Sequence, residues 1–217
     1  MSEKADQAVP FIIYGAKEGF KLNPEAEQYL RALDPQRKIA VISIVGKYRT
    51  GKSFLVNRVL LNRSGKKAGF SVGPTVNPCT KGLWLWRECL KSSELEEDVD
   101  VLLLDTEGFG GMDENTTHDS RIFLFSLLLS SFFIYNSQGN IDETALNNIS
   151  LIINLAKDIK ISDSSQQQDP ADFFPSFLWI VRDFALQMVD KEGQKITAKD
   201  YLEKALENQK GVSDAIE

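Results

Sequence analysis

The chain has 217 residues, 42% hydrophobic and 26% charged, which is enough apolar material for an ordinary globular core with no disulfide framework or structural metal. Its net charge of −6, with basic residues scattered along the sequence, argues against nucleic acid as a partner, so any bound anion must be held by local geometry. Two cysteines, Cys79 and Cys89, lack CxxC spacing and read as reduced thiols with no zinc site.

The opening MSEKADQAVP is polar and acidic and lacks the order of a signal peptide. Residues 1–9 are expected to be a flexible arm, and the protein to be cytoplasmic. Apolar runs predict strands over Phe11–Tyr14, Ile39–Val45, Leu83–Trp86, Val99–Leu104, Ser131–Tyr135 and Phe177–Val181. Helix-like stretches fall at Lys52–Leu61, Thr117–Leu129, Glu143–Lys157 and Ala198–Gln209. Continuous apolar strands such as AVISIV and VLLLD imply burial on both faces. The expected class is α/β, a doubly wound, mostly parallel sheet with helices on both faces and ligands beyond the carboxyl ends of its strands.

The longest apolar run, Ile122 to Tyr135, is broken by serines and falls short of the roughly 20 residues of a membrane span. No transmembrane segment is expected, membrane association is not indicated, and the ending GVSDAIE has no lipidation box. The acidic stretch Glu94–Asp100 reads as a solvated turn and Ser162–Phe174 as a mobile loop.

The predicted strand Ile39–Val45 runs into GKYRTGKS, Gly46 to Ser53, and then into the helical SFLVNRVLL. This is G-x-x-x-x-G-K-[ST] in the strand-to-helix context that gives it meaning, as a P-loop. The backbone of Gly46, Lys47, Tyr48, Arg49, Thr50, Gly51, Lys52, Ser53 and Phe54 is the expected cradle, its N–H groups turned inward beside a helix N-terminus. Lys52 is expected to reach the β- and γ-phosphates, and Ser53 to ligate Mg²⁺. The strand VDVLLLD ends in DTEG, Asp105 to Gly108. An aspartate there can hold Mg²⁺ and the Gly108 amide can meet a γ-phosphate. Between the two motifs, Ser71–Gly82 offers Thr75 and Thr80, either of which suits a loop that completes the Mg²⁺ shell.

NKxD and TKxD are both absent from the chain. The pair Arg182–Asp183 directly follows the strand FLWIV, where a carboxylate can accept from guanine N1–H and N2–H₂. By residue type alone, an Arg-Asp pair after a strand is more often a surface ion pair.

Taken together, GKYRTGKS, TVNPCTKGLWLW, LLLDTEGFG, LLSSFFIYNSQG and FLWIVRDF resemble the G domain of the guanylate-binding proteins, in the dynamin superfamily, over about residues 10–210. The resemblance implies that Lys52 and Ser53 serve phosphate and Mg²⁺, that Thr80 is the switch I threonine, that Asp105 is the switch II aspartate, that Glu107 shapes the water network, and that Asp183 reads guanine beside Arg182. It implies a Mg²⁺-dependent GTPase converting GTP to GDP, with GMP as a further product in doubt, activated by head-to-head homodimerisation of G domains.

Common small GTPases place a glutamine after DxxG, and here that position is Phe109. Arg49 lies on the phosphate loop itself and is the candidate arginine finger acting in cis. Where the family commonly has a serine two residues before the switch I threonine, this chain has Pro78, which puts hydrolysis in question. The family's G domain continues through another strand and helix, so the expectation is a single GTPase domain over 1–217, truncated at its C-terminal end. A nucleotide-gated binding module with little turnover is the alternative; a membrane-remodelling atlastin-like relative and an ATP-specific protein fit less well. His118, the only histidine, is expected to be exposed or structural, and Trp84 and Trp86 to pack on one face of a strand.

Overall fold

The computed structural model describes residues 8–15, 19–62, 69–70, 82–91, 99–109, 116–143, 145–147, 149–150, 153–154 and 174–213. Strands β1 (Ala8–Gly15), β2 (Gly19–Leu22), β3 (Lys38–Val45), β4 (Leu83–Trp86), β5 (Leu90–Lys91), β6 (Val99–Thr106), β7 (Phe132–Gln138) and β8 (Ser176–Arg182) form one sheet. Its order is β2-β1-β4-β6-β3-β7-β8, with β5 on β6. Helices α1 (Pro24–Arg31), α2 (Lys52–Leu55), α3 (Thr116–Leu129) and α4 (Ala198–Ser213) accompany it, and α2 passes into a π-helical turn over Val56–Leu60. The described residues of the predicted helix Glu143–Lys157 include helical positions between 143 and 154.

The α/β class follows from alternation along the strands. In β3, Ile44 joins one apolar group with Val56, Leu103 and Ile134. Its neighbour Val45 joins another with Phe123, Leu127, Phe133 and Tyr135. Successive residues thus face opposite layers, the period-2 consequence of the pleat, and each fully buried aliphatic or aromatic side chain contributes roughly 1.5–3 kcal/mol. Serines interrupting the apolar run are satisfied internally: Ser126 Oγ donates to Ile122 O at 2.7 Å, and Ser130 Oγ donates to Ser126 O and lies 2.7 Å from Ser43 Oγ. No helix among the described residues is long and apolar enough to cross a membrane, which says nothing of a β-barrel.

Parallel pairing, expected for most of the sheet, holds for β6-β3-β7-β8. On the other side β2, β1, β4 and β6 pair antiparallel. The chain returns between β1 and β2 by a short hairpin, and short connections permit only antiparallel neighbours; a parallel neighbour needs a crossover of about a dozen residues or more. Ala8 and Val9, assigned above to a flexible arm, are buried strand residues paired with Trp86 and Leu85. Asp100, assigned to a solvated turn, lies within β6 and is buried against Arg37, whose Nε donates to its Oδ1 at 2.8 Å. The C-terminal end of the parallel strands β3 and β6 delivers Gly46 and Asp105 side by side, with Ile44 in register with Asp105.

Candidate phosphate and nucleotide site

The phosphate loop leaves β3 at Gly46 and enters α2 at Lys52 through Gly51, whose φ of 78° is the left-handed conformation that suits glycine. A Cβ at Gly51 would stand 2.2 Å from Arg182 Nη1. Lys52 is buried and its Nζ donates to Lys47 O at 3.2 Å. Ser53 Oγ donates to Asp105 Oδ2 at 2.5 Å. The two side chains expected at a common cation therefore meet directly.

Asp105 is fully buried. Burial pushes its pKa up to about 6 from 3.8, against the opposing pull of Lys52, the Ser53 hydroxyl and the Thr106 amide. A carboxylate held in that environment gains from a nearby cation, and paired hydroxyl and carboxylate oxygens are the donor chemistry of a hard divalent ion. On that test the residues present fit Mg²⁺.

Gly108 packs against the loop from the other side. A Cβ there would lie 2.4 Å from Tyr48 Cα and 2.7 Å from Lys52 Nζ, so this position tolerates no side chain without moving the loop. Not every expected cradle amide is turned to the phosphate site. Tyr48 N donates to Phe109 O at 2.9 Å and Thr50 N to Lys47 O at 3.4 Å. Arg49 adopts a positive φ of 62°, and its guanidinium lies 5.5 Å from the centre of the Tyr48 ring, within cation–π range. Phe54 is exposed on α2, with Arg58 over its ring.

Glu107 is a joint rather than a free carboxylate. Its Oε2 accepts from Gly82 N at 2.7 Å and lies 3.1 Å from His118 Nε2, while its own amide donates to Gly82 O at 2.9 Å. The His118 ring stacks on Phe20 and meets Tyr14 edge-on, a packed position and not the exposed one that the sequence also allowed. Thr75, Pro78, Thr80 and Lys81 lie outside the described residues.

At the far end of the site, Arg182 Nη1 donates to Thr50 O at 2.9 Å and approaches Gly51 O at 3.5 Å. Asp183 has a positive φ of 52°, and its Oδ2 accepts from Gln138 Nε2 at 2.7 Å. The residue that sequence reasoning left without a role is Asn136 of β7, whose Nδ2 donates to Thr50 O at 3.0 Å and Thr50 Oγ1 at 2.9 Å. Its signal was a polar residue at the carboxyl end of the apolar run FFIY.

A strand, a glycine-bounded phosphate loop and a helix, beside a parallel strand ending in a buried aspartate bonded to the loop's serine, define a P-loop domain of the GTPase type. Residues 17–217 match the family model described as guanylate-binding protein, N-terminal domain, and the chain belongs to that family. Guanylate-binding protein 2 of Homo sapiens is 41% identical, covering 92% of this chain and 33% of its own length. Guanylate-binding protein 5 of Mus musculus is 38% identical, covering 97% and 36%. Guanylate-binding protein 1 of Homo sapiens is 40% identical, covering 88% and 32%. The chain thus spans about a third of the length of these relatives.

Proposed function

We propose that this chain is a single G domain that binds guanine nucleotide and hydrolyses GTP to GDP with Mg²⁺ in the cytoplasm, activated by pairing of two G domains. The observation that carries this reading is the Ser53–Asp105 pair, at 2.5 Å, beside the buried Lys52 at the mouth of the phosphate loop. Membership of a family named for guanylate binding supports the choice of nucleotide.

A water attacks the γ-phosphorus in line; its oxygen forms the new P–O bond as the bond to the β–γ bridging oxygen breaks, GDP leaves with that electron pair, and the water's protons pass to the oxygens of the released phosphate and to solvent. Mg²⁺, held through Ser53, Thr80 and Asp105, would neutralise β- and γ-phosphate charge when bound. Lys52 exchanges its contact with Lys47 O for phosphate oxygens. The Gly108 amide faces the γ-phosphate, and Thr80 and Glu107 order the attacking water. Arg49 leaves the Tyr48 ring to meet charge growing on the transferring group. Asp183 reads the base.

A second reading, a nucleotide-gated binding module with little turnover, is favoured by Arg49 resting over Tyr48 and by Pro78 in the loop before Thr80. Phosphate release from GTP and from ATP, across a protein concentration series and with bound nucleotide measured in parallel, decides between them. GTP-specific turnover whose specific rate climbs with concentration supports the dimer-activated enzyme. GTP retained without phosphate release supports the binding module, and turnover of ATP equal to GTP sinks the guanine assignment.

A further inference from the structure

The phosphate loop is held from behind by two side chains, and we infer that Asn136 is a positioning residue that aims the Gly51 N–H at the bound phosphate. This rests on the nucleotide-binding reading above and deepens it. Asn136 sits fully buried near the carboxyl end of β7. Its Nδ2 donates to Thr50 O at 3.0 Å, and from the end of β8 Arg182 Nη1 reaches the same oxygen at 2.9 Å. A carbonyl oxygen has two lone pairs, so these two donors saturate it.

No cis peptide occurs among the described residues. In a trans, planar peptide the carbonyl of one residue and the N–H of the next point in opposite directions. Fixing the Thr50 oxygen toward β7 and β8 therefore fixes the Gly51 N–H on the opposite side of the loop. The positive φ of Gly51, 78°, then carries the chain into α2, in the manner of backbone nests that gather N–H groups around an anion.

The orientation of the Asn136 amide is dictated by Thr50 alone. Thr50 Oγ1 donates to Lys47 O at 2.8 Å, so it can only accept from Asn136. Turned over, the amide would present its oxygen to a carbonyl and to a hydroxyl whose proton is already committed. The cost of this arrangement is visible: among the described residues, the buried Asn136 Oδ1 has no hydrogen-bond partner. A buried acceptor left unsatisfied is unfavourable, which sets the role of this side chain at the loop it holds rather than in the strand it belongs to.

The test uses Asn136→Asp, nearly the same shape but with a carboxylate facing the Thr50 carbonyl. Binding of fluorescent GDP and GTP analogues with Mg²⁺ is titrated for wild type, Asn136→Asp and Ser126→Ala, with far-UV dichroism and thermal melting of each. Ser126 is also fully buried, but its hydroxyl bonds within α3, so its loss reports stability without the loop. Expected is at least about tenfold weaker binding for folded Asn136→Asp at neutral pH. That gap from wild type narrows as pH falls, because a protonated carboxyl regains a donor. Ser126→Ala binds as wild type even where its melting temperature drops. Wild-type affinity in folded Asn136→Asp, or a loss in Ser126→Ala that matches it, overturns the assignment. If Asn136→Asp does not fold, Asn136→Ala, which removes the donor without adding charge, is held to the same threshold. A wild-type domain that binds neither nucleotide removes the parent reading, a result distinguishable from failure of this one.

Discussion

Strands β2, β1 and β4 on one flank and β3, β7 and β8 on the other lie either side of β6 and differ in what they bury. The antiparallel flank buries Ala8, Val9, Leu83, Leu85 and Trp86, all apolar. The carboxyl end of the parallel side buries Thr50, Lys52, Asp105, Glu107, Asn136 and Ser137. Buried polar groups cost free energy unless satisfied; among the described residues Asn136 Oδ1 has no hydrogen-bond partner, and Asp105 has its pKa pushed up to about 6. One flank is built for stability, whereas the other sacrifices some of it to hold charges and amides ready for an anion.

Four substitutions test that contrast. Trp86→Ala on the apolar flank, where the ring also packs on Phe70, is expected to cost about 3–5 kcal/mol of stability, read by denaturant unfolding. The protein that remains folded should keep its nucleotide affinity. Lys52→Ala is expected to lower GTP affinity or turnover by about a hundredfold or more, near 3 kcal/mol, with intact secondary structure by dichroism.

Asp105→Asn should raise the stability of the ligand-free domain at neutral pH by about 1–3 kcal/mol while removing Mg²⁺-dependent binding. The sign follows from its pKa, raised from 3.8 to about 6. The folded state binds the extra proton, so the wild type loses stability as pH rises through that interval, and the advantage of the variant shrinks as pH is lowered through it. A destabilised variant at neutral pH would mean that the attraction of Lys52 and the Ser53 hydroxyl outweighs the burial of the Asp105 charge, the reverse of the balance that raises its pKa. Smallest is Arg49→Ala, expected to leave GTP binding intact and to lower turnover by at least about tenfold; an equal loss of binding would reassign this arginine to ground-state contacts.

What was legible in the sequence was what local chemistry encodes. The spacing of Gly46, Gly51, Lys52 and Ser53 between an apolar run and a helical one located the phosphate loop, and VLLLD followed by an acidic turn located Asp105. β1 starts three residues late in the sequence reading because Pro10 breaks the β pattern. Proline is tolerated there because β2 pairs with β1 only from Ile12 onward and the register with β4 shifts between Pro10 and Ile12. The π-helical turn after α2 left no trace, since its closing bond, Leu61 N to Val56 O at 2.9 Å, uses residues equally at home in an α-helix. The contacts of Thr50 with Asn136 and Arg182 span 86 and 132 residues. Sequence names such donors without naming their acceptors, which is why Arg182 reads there only as a neighbour of the base.

Glu107 Oε2 gives the domain a mechanical property as well as a chemical one. That one atom receives Gly82 from the start of β4 and faces His118 on α3, and the His118 ring is wedged against Tyr14 and Phe20 of the β1–β2 hairpin. Three chain segments therefore pivot on a single oxygen. The Glu107 side chain cannot rotate without giving up its contacts with the entry to β4 and with the first turn of α3, and the His118 ring beyond it rests on the aromatic face of the β1–β2 hairpin. The Glu107 carboxylate is thereby joined, through His118 and Phe20, to the same apolar layer that holds Leu83, Leu85 and Ile122.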